Sequence, residues 1–266
     1  MALSRYLPIL TISSLTAFSG VHAAVTYFDG DTVGDETNFL NADNWSNQLP
    51  DASHAPGRMR ADAVLDTDYD AGSSGLIIGW AGNDADLTID SDVTFTSSNK
   101  VDVGRTSNST ASGNLYLNGT LASSSLNVND GTVHIGSSTV KLRGTTNVNA
   151  LGTLNVASGG RLDLNGGSVL SLDAEATVTG TINILQLRND SDLHFEVDAL
   201  GNYSTIAGDS VQVRLATRPD LFVDFLDAPF SGATFDLITG VERFTDYRGV
   251  GTGYTFRNVT VTGLGP

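Results

Sequence analysis

Leu126-Asn127-Val128, Val133-His134-Ile135, Val140-Lys141-Leu142, Val148-Asn149-Ala150, Leu154-Asn155-Val156, Leu162-Asp163-Leu164 and Leu170-Ser171-Leu172 follow one another along a single stretch of the chain. Each triplet reads apolar, polar, apolar. Successive side chains of a strand point to opposite faces, so the outer two residues of each triplet face a core and the middle one faces water. The first residues advance by 7, 7, 8, 6, 8 and 8, so a strand and its turn together take seven or eight residues. Every third triplet is in phase: Leu126, Val148 and Leu170 lie 22 apart, as do Val140 and Leu162.

That phase predicts an all-β fold, a right-handed three-sided parallel β-helix of about 22 residues per coil, with like positions stacked at about 4.8 Å. Leu126 and Val128 are expected under Val148 and Ala150, and these under Leu170 and Leu172. Asn127, Asn149 and Ser171 then form one outward column, and Lys141 sits beneath Asp163 in another. A slip of one residue would turn those charges inward, so the pair marks the register. Gly119, Gly131, Gly136, Gly144, Gly152 and Gly180 punctuate the turns.

Working outward, Leu115-Tyr116-Leu117 continues the pattern on the N-terminal side. Leu76-Ile77-Ile78, Leu87-Thr88-Ile89, Val93-Thr94-Phe95 and Val101-Asp102-Val103 do so with looser spacing. The β-helix is therefore expected over 76–192. Residues 24–75 lack the rhythm and are dense in Asp, Asn and Gly around Tyr27, Phe28, Phe39 and Trp45, which predicts an N-terminal cap with a buried indole. An open solenoid end needs such a cover, because unpaired strand edges template aggregation. Residues 193–266 carry longer alternating strands, read as a C-terminal β cap that continues the stack or as a small separate sandwich.

Composition narrows the function. The chain has 266 residues, no cysteine and a net charge of -16. Without cysteine there are no disulfides, thiolate metal sites or cysteine nucleophiles. So acidic a surface repels nucleic acid and anionic lipid, and neither is an expected partner. Arg5, the apolar run from Leu7 to Phe18 and the small residues of Val21-His22-Ala23 read as an export signal over 1–23, cut after Ala23. The run is too short to span a bilayer. The expected location is secreted or cell-surface in a bacterial envelope, with no membrane insertion after the signal is removed.

The early Asn44-Trp45-Ser46 with Pro50, the glycine-punctuated triplets and the late Gly232-Ala233-Thr234-Phe235-Asp236-Leu237-Ile238 strand followed by Phe244 carry a resemblance. With its export signal, the chain resembles secreted bacterial repeat proteins of the PEP-CTERM type and the passengers of autotransporters. The resemblance implies a parallel β-helix in an envelope or matrix location and no shared catalytic residues. PEP-CTERM proteins often end in a Pro-Glu-Pro motif, an apolar helix and a basic tail, whereas this sequence stops at Gly265-Pro266. The expectation is a truncated end, or a protein released rather than sorted.

Asp66-Thr67-Asp68-Tyr69-Asp70 has the alternating carboxylates of a calcium loop, so Asp66, Asp68 and Asp70 are the candidate metal ligands. The EF-hand pattern fails at Ala71, where a Gly is needed, and at Ile77, where the bidentate Glu belongs. Gly82-Asn83-Asp84-Ala85-Asp86-Leu87 matches one calcium-binding nonapeptide repeat, in a single copy. Trp45 and Trp80 are the candidate sugar platforms. No nucleophile elbow, phosphate loop or His-Glu-x-x-His occurs. His22, His54, His134 and His194 are far apart in sequence, and Asp130, Asp163 and Asp173 do not stack in the expected register.

The expected function is an exported, non-enzymatic β-helical surface or matrix protein, structural or adhesive, with polysaccharide or other cell-surface proteins as partners. The rival from a different class is a carbohydrate-active β-helix: a polysaccharide lyase or hydrolase, or a tailspike-like glycan binder. A third is a calcium-stabilised surface protein.

Overall fold

The computed structural model describes residues 23–104, 111–136, 139–150, 152–157, 160–187, 191–198, 200–213, 220–226, 235–239, 243–246 and 259–262. The expected export signal, apart from Ala23, lies outside the described residues, as do the turn residues Arg105 to Thr110 and the 232–234 part of the late strand.

The strands begin with β1 (Thr26–Phe28), β2 (Gly57–Met59), β3 (Ala63–Leu65), β4 (Tyr69–Asp70), β5 (Leu76–Ile78), β6 (Ala85–Ile89) and β7 (Thr94–Thr96). Next come β8 (Lys100–Val103), β9 (Gly113–Leu117), β10 (Thr120–Val128), β11 (Gly131–Ile135), β12 (Thr139–Val148), β13 (Thr153–Val156) and β14 (Arg161–Leu172). The last are β15 (Thr177–Thr179), β16 (Ile182–Leu187), β17 (Asp192–Val197), β18 (Ile206–Val213), β19 (Leu221–Phe225), β20 (Ile238–Thr239), β21 (Arg243–Asp246) and β22 (Val259–Thr262). Every pairing between these strands is parallel.

The pairings wind into a β-solenoid with coils of about 24 residues, and its sheets fit a three-sided helix. The first face runs β1, β2, β5, β8, then the C-terminal halves of β10, β12 and β14, then β17, β19 and β22. The second face is β3, β6, β9, β11, β13 and β15. The third runs β4, β7, the N-terminal halves of β10, β12 and β14, then β16, β18 and β21. Strands β10, β12 and β14 each turn the corner between the third and first faces.

Alternation makes the core. On the first face Phe28, Met59, Ile78, Val103, Val128, Val148, Leu172 and Phe195 stack in one inward column. Each of them is at most 1% exposed. Fully burying one such side chain contributes about 1.5–3 kcal/mol, and the columns repeat it at every coil.

One expected stack is corrected. Leu126 pairs with Thr146, and Thr146 with Leu170. Val148 therefore lies over Val128, and Ala150 is exposed outside the strand. The outward column is accordingly Asn127, Asn147 and Ser171, while Asn149 stands over Asn129. The constant 22-residue step is the average of unequal coils, 20 residues between Asn127 and Asn147 and 24 between Asn147 and Ser171. The corners absorb the difference. Register shifts fall between Ala122 and Ser125 and between Arg143 and Thr145, beside Gly144, whose φ of +85° opens the bend. A two-residue slip preserves the in-out phase, so the triplet pattern survives it. Lys141 pairs with Asp163 in the expected register.

Parallel pairing also begins earlier than the rhythm of the sequence suggests, at Thr26, inside the segment expected as a cap. The loop between β1 and β2 covers this end. There Phe39 packs edge-on to Trp45, Tyr69 and Phe95, with ring centroids 5.1, 5.7 and 6.2 Å away. Tyr69 donates to the Pro50 carbonyl at 2.7 Å. Burial first, then the negative fields of Asp51 and Asp70, push its phenol up to about 12. At the other end β17, β19 and β22 continue the parallel stack.

Candidate functional site

With the apolar columns inside, function falls to the outward side chains, and these line up from coil to coil. On the second face the outward row is Thr88, Tyr116, His134, Asn155 and Thr179. Strand pairing sets Tyr116 directly over His134, and their rings stack with centroids 4.4 Å apart and planes 6° from parallel. Asn155 Nδ2 meets His134 Nδ1 at 3.1 Å, and the Thr179 hydroxyl donates to Asn155 Oδ1 at 3.0 Å. In this arrangement Nδ1 accepts and the imidazole proton sits on Nε2. Burial of the ring holds the His134 pKa below 6.5, against the opposing pull of Asp86. A second row beside it holds Asp86, Asn114, Thr132, Thr153 and Thr177, in which Asn114 Nδ2 donates to Asp86 Oδ1 at 2.7 Å.

The first face carries an amide ladder. Asn147 donates to Asn127 at 2.9 Å and Asn127 to Asp102 at 2.7 Å, while Lys100 Nζ lies 2.8 Å from Asp102. Asn149 donates in the same way to Asn129 at 2.6 Å. Towards β19 the character changes. Glu196 pairs in register with Asp224, and Asp173 follows Leu172, the partner of Phe195. Burial, then the fields of Asp173 and Asp224, raise the Glu196 pKa. Burial raises that of Asp173 as well, opposed by the Ala150 amide that donates to its carboxylate. In the adjoining row His194 and Phe222 face each other, with centroids 4.3 Å apart.

Residues singled out from the sequence are scattered over other parts of the surface. Trp45 is only 4% exposed, its Nε1 donating to the Phe39 carbonyl at 2.8 Å, so it packs the end of the solenoid and offers no open ring face. Trp80 is half-buried, and the Arg58 guanidinium lies 3.7 Å over its ring. Asp66, Asp68 and Asp70 turn to separate partners: the Thr67 hydroxyl, the Thr94 amide and the Gly72 amide. Asp84 likewise accepts from the Ser112 amide. Among the described residues no three His, Asp or Glu side chains converge closely enough to hold a metal ion. His54 pairs with Asp51 at 3.0 Å beside a cleft of about 770 Å³ at the N-terminal end.

The carboxylate column of Asp173, Glu196 and Asp224 was missed in the sequence. Its signal is present, since Glu196 and Asp224 are outward positions of alternating strands, but the coil between them is longer than 22 residues and no constant step connects them. Comparison of the chain with protein-family models, curated proteins and solved structures finds no match in any of the three.

Proposed function

We propose that this chain is a non-catalytic β-solenoid that serves as a structural or adhesive component at a bacterial cell surface or in an extracellular matrix, its outer flanks meeting glycans or neighbouring proteins. The observation that carries the reading is the order of those flanks. Outward side chains form rows joined from coil to coil by hydrogen bonds and ring stacking, from Asp102 to Asn147 and from Tyr116 to Thr179. A repeated, pre-ordered display suits many weak contacts to a large partner, because little side-chain entropy remains to be lost on binding. The test is to incubate the purified protein with a panel of polysaccharides and measure both binding and release of reducing or unsaturated ends. Binding without product supports the reading; turnover of any polysaccharide ends it.

A second reading, a polysaccharide hydrolase, is favoured by Glu196. Neighbouring coils place Glu196 in register with Asp224 and next to Asp173, and a pair of carboxylates is what glycoside hydrolysis uses. A raised pKa is what a general acid requires. Product release that disappears in Glu196→Gln would establish it.

A further inference from the structure

We infer that the outer surface of the second face binds an uncharged polysaccharide chain laid along the solenoid axis, over the row Thr88, Tyr116, His134, Asn155 and Thr179. The inference rests on the non-catalytic, adhesive reading above and names the ligand class and the face.

Charge selects this face. The chain carries a net -16, and the first face turns Arg58, Asp102, Glu196 and Asp224 outward, the third Arg161 and Asp163. On the second face the described outward strand residues are Val64, threonines, asparagines, Tyr116, His134 and one carboxylate, Asp86. Along β11, β13 and β15 the outward strand positions of this face hold no Asp, Glu, Lys or Arg. A neutral polymer approaching here strips water from almost no charge, whereas an anionic one meets the field of the whole molecule. A second copy would bring its own -16.

Geometry selects a linear partner. Tyr116 and His134 belong to neighbouring strands and their rings are parallel, so the ring planes lie across the solenoid axis and their edges point outward. Asn155 and Thr179 fix the imidazole from below and leave Nε2–H on the outer edge. The row therefore presents hydroxyl, N–H and amide groups at a repeat of about 4.8 Å along one line. Sugar polymers offer donors and acceptors at regular intervals along a straight chain. A peptide strand would instead seek free backbone edges, which the interior strands of a sheet lack.

The experiment uses the full chain and insoluble cellulose, chitin and starch as probes, with alginate as an anionic control, and reads the fraction bound. The expected result is binding to at least one uncharged probe. It should weaken at least tenfold in the Tyr116→Ala/His134→Ala double variant and stay unchanged in Thr94→Ala on the third face. Thr153→Glu, which adds a charge to the outward row beside the proposed one without touching the ring stack, should weaken binding likewise and keeps the test decisive should the double variant fail to fold. Uncharged-probe binding that survives in folded Thr153→Glu or in the folded double variant overturns the inference and leaves the adhesive reading standing. So does binding to alginate alone, or self-association through this face with no polysaccharide bound. Release of reducing sugar overturns the non-catalytic reading instead.

Discussion

Glu196 is half-buried between Asp173 and Asp224 on neighbouring coils, and its burial first, then the crowding, gives it a measurable signature. Its folded pKa lies above the ordinary carboxylate value of 4.5, so the native state holds the proton more tightly than the unfolded chain does. Stability from this group is therefore full below about 4.5 and is lost as pH rises through the folded pKa. Glu196→Gln should raise the melting temperature at pH 7 and leave it unchanged near pH 3; equal melting at pH 7 would refute the cost of holding this buried, crowded carboxylate ionised. His134 behaves in the opposite sense. Its pKa is held below 6.5 by burial, so the fold loses stability as pH drops from 6.5 through the lower folded value. His134→Gln should flatten that part of the melting curve between pH 7.5 and 5, measured against wild type. Trp45 tests the end cover: Trp45→Ala removes a buried indole and should cost about 3–5 kcal/mol in denaturant unfolding.

At the scale of a strand, the corner at Gly144 is the weak point. A Cβ there would overlap the Ser123 carbonyl oxygen, and its φ of +85° disfavours any side chain. Gly144→Ala should cost about 1–3 kcal/mol, seen as a lowered denaturant midpoint. Thr146, one residue inside the next face, stands in register between Leu126 and Leu170 at 2% exposure. Thr146→Val keeps the shape and removes the polar atom, and is expected to raise the midpoint. A fall would mean that the hydroxyl is needed there.

Across the whole molecule, 30 acidic residues face 14 basic ones on an elongated stack. Self-repulsion should weaken the fold at low ionic strength, and salt relieves it as the screening length falls from about 30 Å at 0.01 M to about 8 Å at 0.15 M. The melting temperature is expected to rise over that range; a fall would assign net stability to ion pairs such as Lys100–Asp102.

Much of this architecture was already legible in the residues. Leu115-Tyr116-Leu117, Leu126-Asn127-Val128 and Leu162-Asp163-Leu164 determined strand, inward face and parallel stacking by themselves, because a strand buried on one side must alternate and a coil that repeats must bring like residues together. Which residue lies on which was decided only by the fold. Val148-Asn149-Ala150 looks like the better triplet, yet Thr146-Asn147-Val148 is the rung, since a β-branched threonine fills an inward position as valine does and a glycine corner can take up two residues without changing the phase. The outward rows depend on those corners. Tyr116 meets His134, and Glu196 meets Asp224, through coil lengths that no local pattern records, and the chemistry of the surface follows from the register that the corners set.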